Sequence, residues 1–340
     1  MPLLDVQDLR VEYRARGGTV HAVDGATFSV PEGEVVGLVG ESGCGKTTAA
    51  RALTGVVPAN ARIAGGRVTF GGRDLLAFGA KDWDGVRWRQ IAFIPQSAMN
   101  SLDPVYRVGT QIREVLRHRG GLGRGESDRR VDELFSMVGI APERPQDYPH
   151  QFSGGMRQRA AIARALALNP RLVIADEPVT ALDVIVQRQV LDTFRDLQVR
   201  LGLSAILVTH DISVVAYACD RVVVMYAGKV VEAGPVRAVL EAPSHPYTMG
   251  LYNAFPDLGR ASGTLVPIEG NPPDLRDPPK GCRFAPRCPF AVAKCREAQP
   301  PTVTVAPGHT AACWRLDEAP QLRQLAREEQ TWLRSSTSAA

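Results

Sequence analysis

The sequence predicts an α/β protein whose core is a mostly parallel sheet covered by helices on both faces. Short all-apolar runs, Val35–Val39, Leu172–Ala175 and Ala205–Val208, alternate with segments of helical periodicity, as buried parallel strands do between crossover helices. At 340 residues the chain exceeds the usual size of one compact core. After Pro243 the sequence changes to proline, glycine and cysteine with little periodicity, so we expect a small appendage there.

The other elements follow from periodicity and turn residues. Leu3–Tyr13 and Ala22–Val30 alternate like antiparallel strands on either side of a glycine turn, which predicts a separate antiparallel region. Further strands are expected at Gly65–Phe70 and in a hairpin over Val222–Glu232. The predicted helices are Thr47–Leu53, a helical region from about Val108 to Gly139, Met156–Ala167, Val184–Leu201 and Ile212–Ala218.

Composition and charge exclude several classes of protein. Forty basic and 36 acidic residues give a net charge of +4, which is too even a mixture for a dedicated nucleic-acid surface, and we expect no nucleic-acid partner. We see no apolar stretch of membrane-spanning length and no signal-peptide core at the N-terminus, so we expect a chain made and kept in the cytoplasm. Six cysteines in such a chain favour free thiols or metal ligands over disulfides.

A phosphate-binding loop is predicted directly after Val35–Val39. The residues Gly40-Glu41-Ser42-Gly43-Cys44-Gly45-Lys46-Thr47-Thr48 fit the P-loop pattern, with a strand before them and a helix after them. The glycines let successive backbone N–H groups face phosphate oxygens, and the helix N-terminus adds positive charge. Lys46 would contact the β- and γ-phosphates and Thr47 would bind Mg²⁺. An unrelated glycine-rich turn is the alternative, but it would not bring all these features together.

Two acidic residues follow the apolar run Leu172–Ala175. The strand would deliver Asp176 to the magnesium ion, through a water molecule, and turn Glu177 toward an attacking water. A strand that ends in two solvated acids is the alternative, and the phosphate loop argues against it.

The stretch Phe152–Arg159, Phe-Ser-Gly-Gly-Met-Arg-Gln-Arg, resembles the signature motif of ABC ATPases. The resemblance spans about Leu3–Pro243. It implies the P-loop NTPase fold of an ABC ATPase domain: a RecA-like parallel sheet core, an antiparallel β subdomain and a helical subdomain at about 97–165. It also implies a head-to-tail dimer, in which Ser153 and Gly155, with Gly154 between them, face the γ-phosphate bound by the partner.

Other positions resemble the remaining motifs of that family. Gln96 is similar to the Q-loop glutamine that senses magnesium, Asp183 to the D-loop residue at the dimer interface, and His210 to the switch histidine. Tyr13 stands where the family stacks an aromatic ring on adenine, although a buried core tyrosine is a competing interpretation. We expect ATP hydrolysis with Glu177, His210 and Gln96 as catalytic residues. The residues expected to contact ATP and Mg²⁺ are Tyr13, Gly40, Ser42, Gly43, Cys44, Gly45, Lys46, Thr47, Thr48, Gln96, Ser153, Gly154, Gly155, Asp176 and Asp183, with Thr47, Gln96 and Asp176 at the metal.

Three further stretches resemble ATP-binding subunits of the oligopeptide/dipeptide/nickel importer family: Tyr148–Met156, His245–Thr248 and Gly270–Leu275. The resemblance implies ATP-driven uptake of di- or oligopeptides by a peripheral protein on the cytoplasmic side of the cell membrane. Its implied partners are a second, similar ATPase subunit, two transmembrane permease subunits and an extracytoplasmic substrate-binding protein. Nickel or oligosaccharide import remains open. A soluble ABC ATPase that acts on DNA or ribosomes is less favoured, since neither a coiled-coil insertion nor a second cassette is visible. A metal-sensing regulatory ATPase is a third interpretation, and it would require coupling between the state of the cluster and hydrolysis.

The appendage carries four cysteines, and a small proline-rich segment with little core of its own favours a metal as a cross-link. Their gaps of five, six and seventeen residues are wider than the pairs typical of structural zinc and differ from common ferredoxin spacings. Resemblance to the importer family favours a [4Fe–4S] cluster over zinc, and four metal-free thiols remain possible. We divide the chain into an ATP-binding domain (1–243), a C-terminal domain with the cysteine site (244–325), and a helix end with a disordered tail (326–340). The four cysteines are Cys282, Cys288, Cys295 and Cys313.

Overall fold

The computed structural model of the chain describes residues 2–96, 101–253 and 268–333, whose strands form two sheets. The strands are β1 (Leu4–Ala15), β2 (Gly18–Val30), β3 (Val35–Val39), β4 (Ala61–Phe70), β5 (Arg73–Asp74), β6 (Ile91–Ile94), β7 (Leu172–Asp176), β8 (Ser204–Thr209), β9 (Arg221–Tyr226), β10 (Lys229–Pro235), β11 (Val303–Ala306) and β12 (His309–Ala311). The helices are α1 (Lys46–Ala52), α2 (Ala80–Val86), α3 (Val108–His118), α4 (Arg124–Met137), α5 (Gly154–Ala165), α6 (Val184–Leu201), α7 (Ile212–Ala218), α8 (Val236–Glu241), α9 (Pro246–Asn253), α10 (Ala293–Glu297), α11 (Ala319–Ala326) and α12 (Glu329–Trp332).

The larger sheet confirms the predicted parallel core. Its order is β11-β12-β10-β9-β3-β8-β7-β6, and the five strands from β9 to β6 are parallel to one another. Every residue of β3, β7 and β8 is buried, which explains why these strands are apolar on both faces rather than alternating. Their carboxyl ends lie at one edge, and the segments that follow them carry the phosphate loop, Glu177 and His210.

The smaller sheet is antiparallel, in the order β2-β1-β4-β5. Its buried residues in β1 do not follow one simple alternation: Leu4 and Val6 are buried, and then Leu9 and Val11. A β-bulge between Val6 and Leu9 changes the face, with Asp8 in a left-handed conformation (φ 49°). The bulge therefore keeps the apolar side chains of β1 in the core on both sides of Asp8, from Leu4 to Val11.

The helices between strands β6 and β7 pack together in one hydrophobic core. The predicted helical region over Val108–Gly139 is two helices, α3 and α4, because the chain turns at Gly120 and Gly121. Ile112, Leu116 and Phe135 are fully buried in the core that α3 and α4 share with α5 and the sheet. This packing places the N-terminus of α5, and with it the signature-like residues, on a helical layer beside the sheet.

The segment after Pro243 is built onto the main sheet rather than beside it. Strand β12 pairs with β10 in the register Glu232–Ala311, and β11 pairs with β12. These two strands were not predicted, because they are only four and three residues long and stand in a proline-rich stretch. Tyr226 of β9 and Tyr247 of α9 share one core with side chains of this segment.

The divisions at 243/244 and 325/326 stay a proposal, and the expected disordered tail lies partly outside the described residues, which end at 333. None of the helices in the described ranges combines the length and the apolar character needed to cross a membrane.

Candidate active site

The phosphate loop fills the turn between β3 and α1, and two of its glycines are required by contact. A side-chain carbon at Gly40 would lie 2.1 Å from the carbonyl oxygen of Met225. At Gly45, which has φ 103°, it would lie 2.2 Å from the carbonyl oxygen of Ala22. The loop is therefore pressed against β9 on one side and β2 on the other, and no other residue type fits these two positions unless the backbone shifts.

Lys46 is buried inside this loop. Its ammonium donates to the carbonyl oxygens of Gly40 (2.7 Å) and Glu41 (2.9 Å). The loop thus holds a positive charge beside the backbone of Ser42, Gly43 and Cys44, the arrangement that would receive phosphate oxygens.

Thr47 and Asp176 meet at a position suited to a cation. The Thr47 hydroxyl donates to Asp176 Oδ1 over 3.0 Å. Asp176 is fully buried, and its Oδ2 has no hydrogen-bond partner among the described residues. Burial raises the pKa of this carboxyl, and the Thr47 hydrogen bond only partly opposes that rise. A buried carboxylate oxygen with no partner, beside a hydroxyl, fits the oxygen ligands that Mg²⁺ prefers.

The side chains of Gln96 and His210 converge on Glu177. His210 Nδ1 lies 3.1 Å from Glu177 Oε1, and Gln96 Nε2 lies 3.4 Å from Oε2. The Thr180 hydroxyl also donates to Oε2, over 2.9 Å. Glu177 itself has a left-handed backbone (φ 49°), and its N–H donates to Val208 at the end of β8. An oriented carboxylate with a histidine beside it is an arrangement that can accept a proton from a water molecule.

Tyr13 lies on β1 beside the phosphate loop. Its hydroxyl is 3.2 Å from the Thr48 hydroxyl, and the residue is partly rather than fully buried. The interpretation of Tyr13 as a purely buried core residue is therefore less favoured, and its ring remains available to stack on the adenine base.

The signature-like residues stand apart from the phosphate loop. Ser153 caps α5 by accepting the N–H of Met156 over 3.3 Å, with Gly154 next in the helix. Asp183 caps α6 in the same manner, accepting the N–H of Val186 over 3.0 Å. A side-chain carbon at Gly155 would lie 2.5 Å from Val186, so the two helix starts pack together. In the described ranges, no hydrogen bond joins these residues to the phosphate loop.

The four appendage cysteines gather around one cavity, which His245 also lines. All four are free thiols. Burial raises the pKa of Cys313 to about 11, and the negative charges of neighbouring thiolates add to the rise. This donor set suits a cation, since a positive ion would offset that repulsion. Yet within the described ranges no group of three or more His, Cys, Asp or Glu stands in a metal-holding arrangement.

Sequence reasoning missed several residues that touch the site. The P-loop pattern leaves position 41 open, yet Glu41 is contacted by Tyr247 and Arg287. Thr180 carries no motif signal of its own, although it follows Glu177 by only three positions. The one hint for Arg287 is its place beside Cys288.

Comparison with known proteins agrees with this geometry. A family model described as ABC transporter matches residues 23–180, and one described as oligopeptide/dipeptide transporter, C-terminal region, matches residues 231–295. A probable peptide ABC transporter ATP-binding protein of Sinorhizobium fredii is 46% identical over 94% of this chain and 97% of its own length. The oligopeptide transport ATP-binding protein OppD of Escherichia coli is 45% identical over 92% and 93%.

Solved structures place the fold in the same group. The ATP-binding cassette MJ0796, in a dimeric post-hydrolysis state with ADP and phosphate, superposes with a TM-score of 0.61, 25% identity, and coverage of 69% of this chain and 99% of its own. The cbiO1 protein from Clostridium perfringens gives a TM-score of 0.62, 28% identity, and coverage of 71% and 91%. The chain therefore belongs to the ABC transporter family, as one of its ATP-hydrolysing, ATP-binding subunits.

Proposed function

We propose that this chain is the motor subunit of an importer for di- and oligopeptides. The observation that carries the ATP-driven part is the convergence of Gln96 and His210 on the carboxylate of Glu177. The peptide part is supported by the match of residues 231–295 to the oligopeptide/dipeptide transporter C-terminal region and by relatives named as peptide transport proteins.

The roles of the residues follow from the geometry. Lys46 and the loop N–H groups would hold the phosphates, and Thr47 with Asp176 would hold Mg²⁺, which would neutralise charge on the phosphate oxygens. Glu177 would accept the proton of the attacking water, with His210 beside it at the γ-phosphate. Hydrolysis then yields ADP and phosphate, and tighter binding of ATP to the closed state performs the work.

The proposed partners are a second, similar ATPase subunit, two permease subunits and an extracytoplasmic substrate-binding protein. A head-to-tail pair is supported by Ser153 and Gly155, which have no hydrogen bond to this chain's own phosphate loop in the described part. Val184 and Ile185, directly after Asp183, are 82% and 73% exposed, which suits an apolar contact with another subunit. We place the protein at the cytoplasmic side of the cell membrane.

We further propose that Cys282, Cys288, Cys295 and Cys313 hold a [4Fe–4S] cluster. The support is their shared cavity, and such a cluster would cross-link the appendage. Iron, zinc and acid-labile sulfide would be measured in an anaerobic preparation, with Cys219→Ser as the matched cysteine control. Iron with sulfide and absorbance near about 400 nm is the expected result. Zinc without sulfide would indicate a zinc site instead. If neither iron nor zinc is found, the four cysteines are reduced thiols without a metal.

Uptake of labelled di- and oligopeptides tests the function directly. Cells that lack the chain would receive the native protein or Glu177→Gln. We expect uptake only with the native protein. Unchanged peptide uptake in the deficient cells would contradict peptide import, and labelled nickel and oligosaccharides would then be compared in the same strains.

A further inference from the structure

The appendage contacts the phosphate loop at Glu41. The backbone N–H of Glu41 donates to the hydroxyl of Tyr247 in α9 over 2.9 Å. Its carboxylate accepts from Arg287 Nη1 over 2.8 Å. Two side chains from beyond residue 243 therefore fix both the backbone and the side chain of one residue of the loop.

Arg287 is anchored more firmly than a surface arginine. It is 5% exposed at its side chain, and Glu41 is 26% exposed. Besides Glu41, it donates to the Tyr226 hydroxyl (3.2 Å) and to the carbonyl oxygens of Glu269 (2.9 Å) and Ile268 (2.8 Å). Because the guanidinium is buried and its donors are engaged, this ion pair is screened less than an exposed pair and its geometry is fixed.

A second arginine of the same turn reaches the other side of the loop. Arg283 pairs with Asp24 and donates to the carbonyl oxygen of Ala227. The next residue, Gly228, donates its N–H to the carbonyl oxygen of Cys44 over 2.9 Å. The hairpin turn that supports the phosphate loop is thus itself supported by the appendage.

The two arginines lie between two of the cavity cysteines along one tight turn. Arg283 follows Cys282 and Arg287 precedes Cys288. The N–H groups of Arg287 and Cys288 both donate to the carbonyl oxygen of Phe284, over 2.9 Å each. The turn therefore holds thiols at the cavity and guanidinium groups at the ATP-binding core in one rigid unit.

We propose that Arg287 is a positioning residue for nucleotide binding, acting through Glu41 to keep the phosphate loop in its wrapped conformation. A loop that is already ordered loses less conformational freedom when phosphate binds, so its affinity is higher. ATP affinity then depends on the appendage, although no appendage residue need touch the nucleotide. The competing role for Arg287 is an anchor that stabilises the fold and leaves ATP binding unchanged.

A double-mutant cycle on the full-length chain separates the two roles. Arg287→Met removes the charge and keeps most of the side-chain volume, and Glu41→Ala removes the partner while leaving the appendage intact. The dissociation constant of Mg-ATP would be measured by titration calorimetry, and folding by thermal unfolding. We expect each single variant to bind ATP about tenfold more weakly, within the range of ordinary coupling between sites. The double variant should be no weaker than either single variant, because one interaction is lost in all three.

Lys294→Gln is the matched control, since it removes an exposed appendage cation that lies over the Trp314 ring (3.8 Å). It should bind ATP like the native chain. Arg287→Lys should recover part of the affinity because it keeps the charge near Glu41. A folded Arg287→Met with native ATP affinity would overturn the proposal, and so would losses that multiply in the double variant. If Arg287→Met does not fold, native ATP affinity in Glu41→Ala would by itself overturn the proposal.

Discussion

Asp176→Asn tests the proposed magnesium site because it should stabilise the protein while impairing its use of the metal. Asp176 is fully buried, one of its oxygens accepts from Thr47, and the other has no partner among the described residues. An unpaired buried polar group costs about 1–3 kcal/mol, and more when it is charged. Asparagine has the same shape, still accepts from Thr47 and carries no charge.

The magnitude follows from the difference between these two buried groups. A neutral amide is less costly to bury than a carboxylate, so we expect a gain of about 1 kcal/mol in the free energy of unfolding without nucleotide. For a chain of this size that corresponds to a rise of about 2 °C in the unfolding temperature. The native protein should gain further stability from ATP when Mg²⁺ is added, whereas Asp176→Asn should gain little beyond ATP with EDTA.

The pH dependence gives a second check on the same side chain. Burial raises the pKa of Asp176, so the native fold loses stability as pH rises through the folded-state pKa. Below the unfolded value of 3.8 both states are protonated, and the advantage of Asp176→Asn should disappear. Thermal unfolding with EDTA at neutral and acid pH would measure this. A variant less stable than the native chain at neutral pH, or one with a full response to Mg²⁺, would refute the assignment.

Two further changes probe the hydrogen bonds around the site. Burial alone would raise the pKa of Asp24, but the hydrogen bond and charge of Lys229 and the charge of Arg283 lower it. Asp24→Asn should therefore lower the free energy of unfolding by about 1–2 kcal/mol at neutral pH. Urea unfolding should show this difference between the variant and the native chain vanishing as pH falls below about 3.8. Thr180→Val removes the hydroxyl that donates to Glu177. Because such a hydrogen bond contributes about 1 kcal/mol, kcat should fall about fivefold while ATP affinity stays the same. An equal loss in kcat and in ATP affinity would contradict an orienting role for Thr180.

Local patterns predicted the core well because burial there leaves a direct mark on the sequence. Strands β3, β7 and β8 are buried on both faces, so each is an unbroken apolar run. The turn after β7 and the loop after β3 then follow from residue types that their chemistry requires. The bulge at Asp8 escaped prediction, because a change of face within β1 resembles a break in alternation.

Long-range contacts were the part that sequence patterns did not reveal. Arg287 and Glu41 are 246 positions apart, and nothing in either local pattern names the other. Strand β11 was missed because it is an edge strand of only four residues within a proline-rich stretch. The cysteine cavity was anticipated as a group of four, but the spacing alone does not say that the same turn reaches the phosphate loop.

The most direct test of the central claim is ATP turnover by Glu177→Gln. The variant would be purified with its partner ATPase subunit, and Lys46→Ala, prepared in the same way, would report contaminating activity. Glu177→Gln should retain ATP and accumulate as a closed dimer, with turnover lower by at least about a hundredfold, since a general base contributes that much. Native turnover in Glu177→Gln, above the rate of the Lys46→Ala preparation, would show that the Glu177 carboxylate, which His210, Gln96 and Thr180 contact, is not the catalytic base.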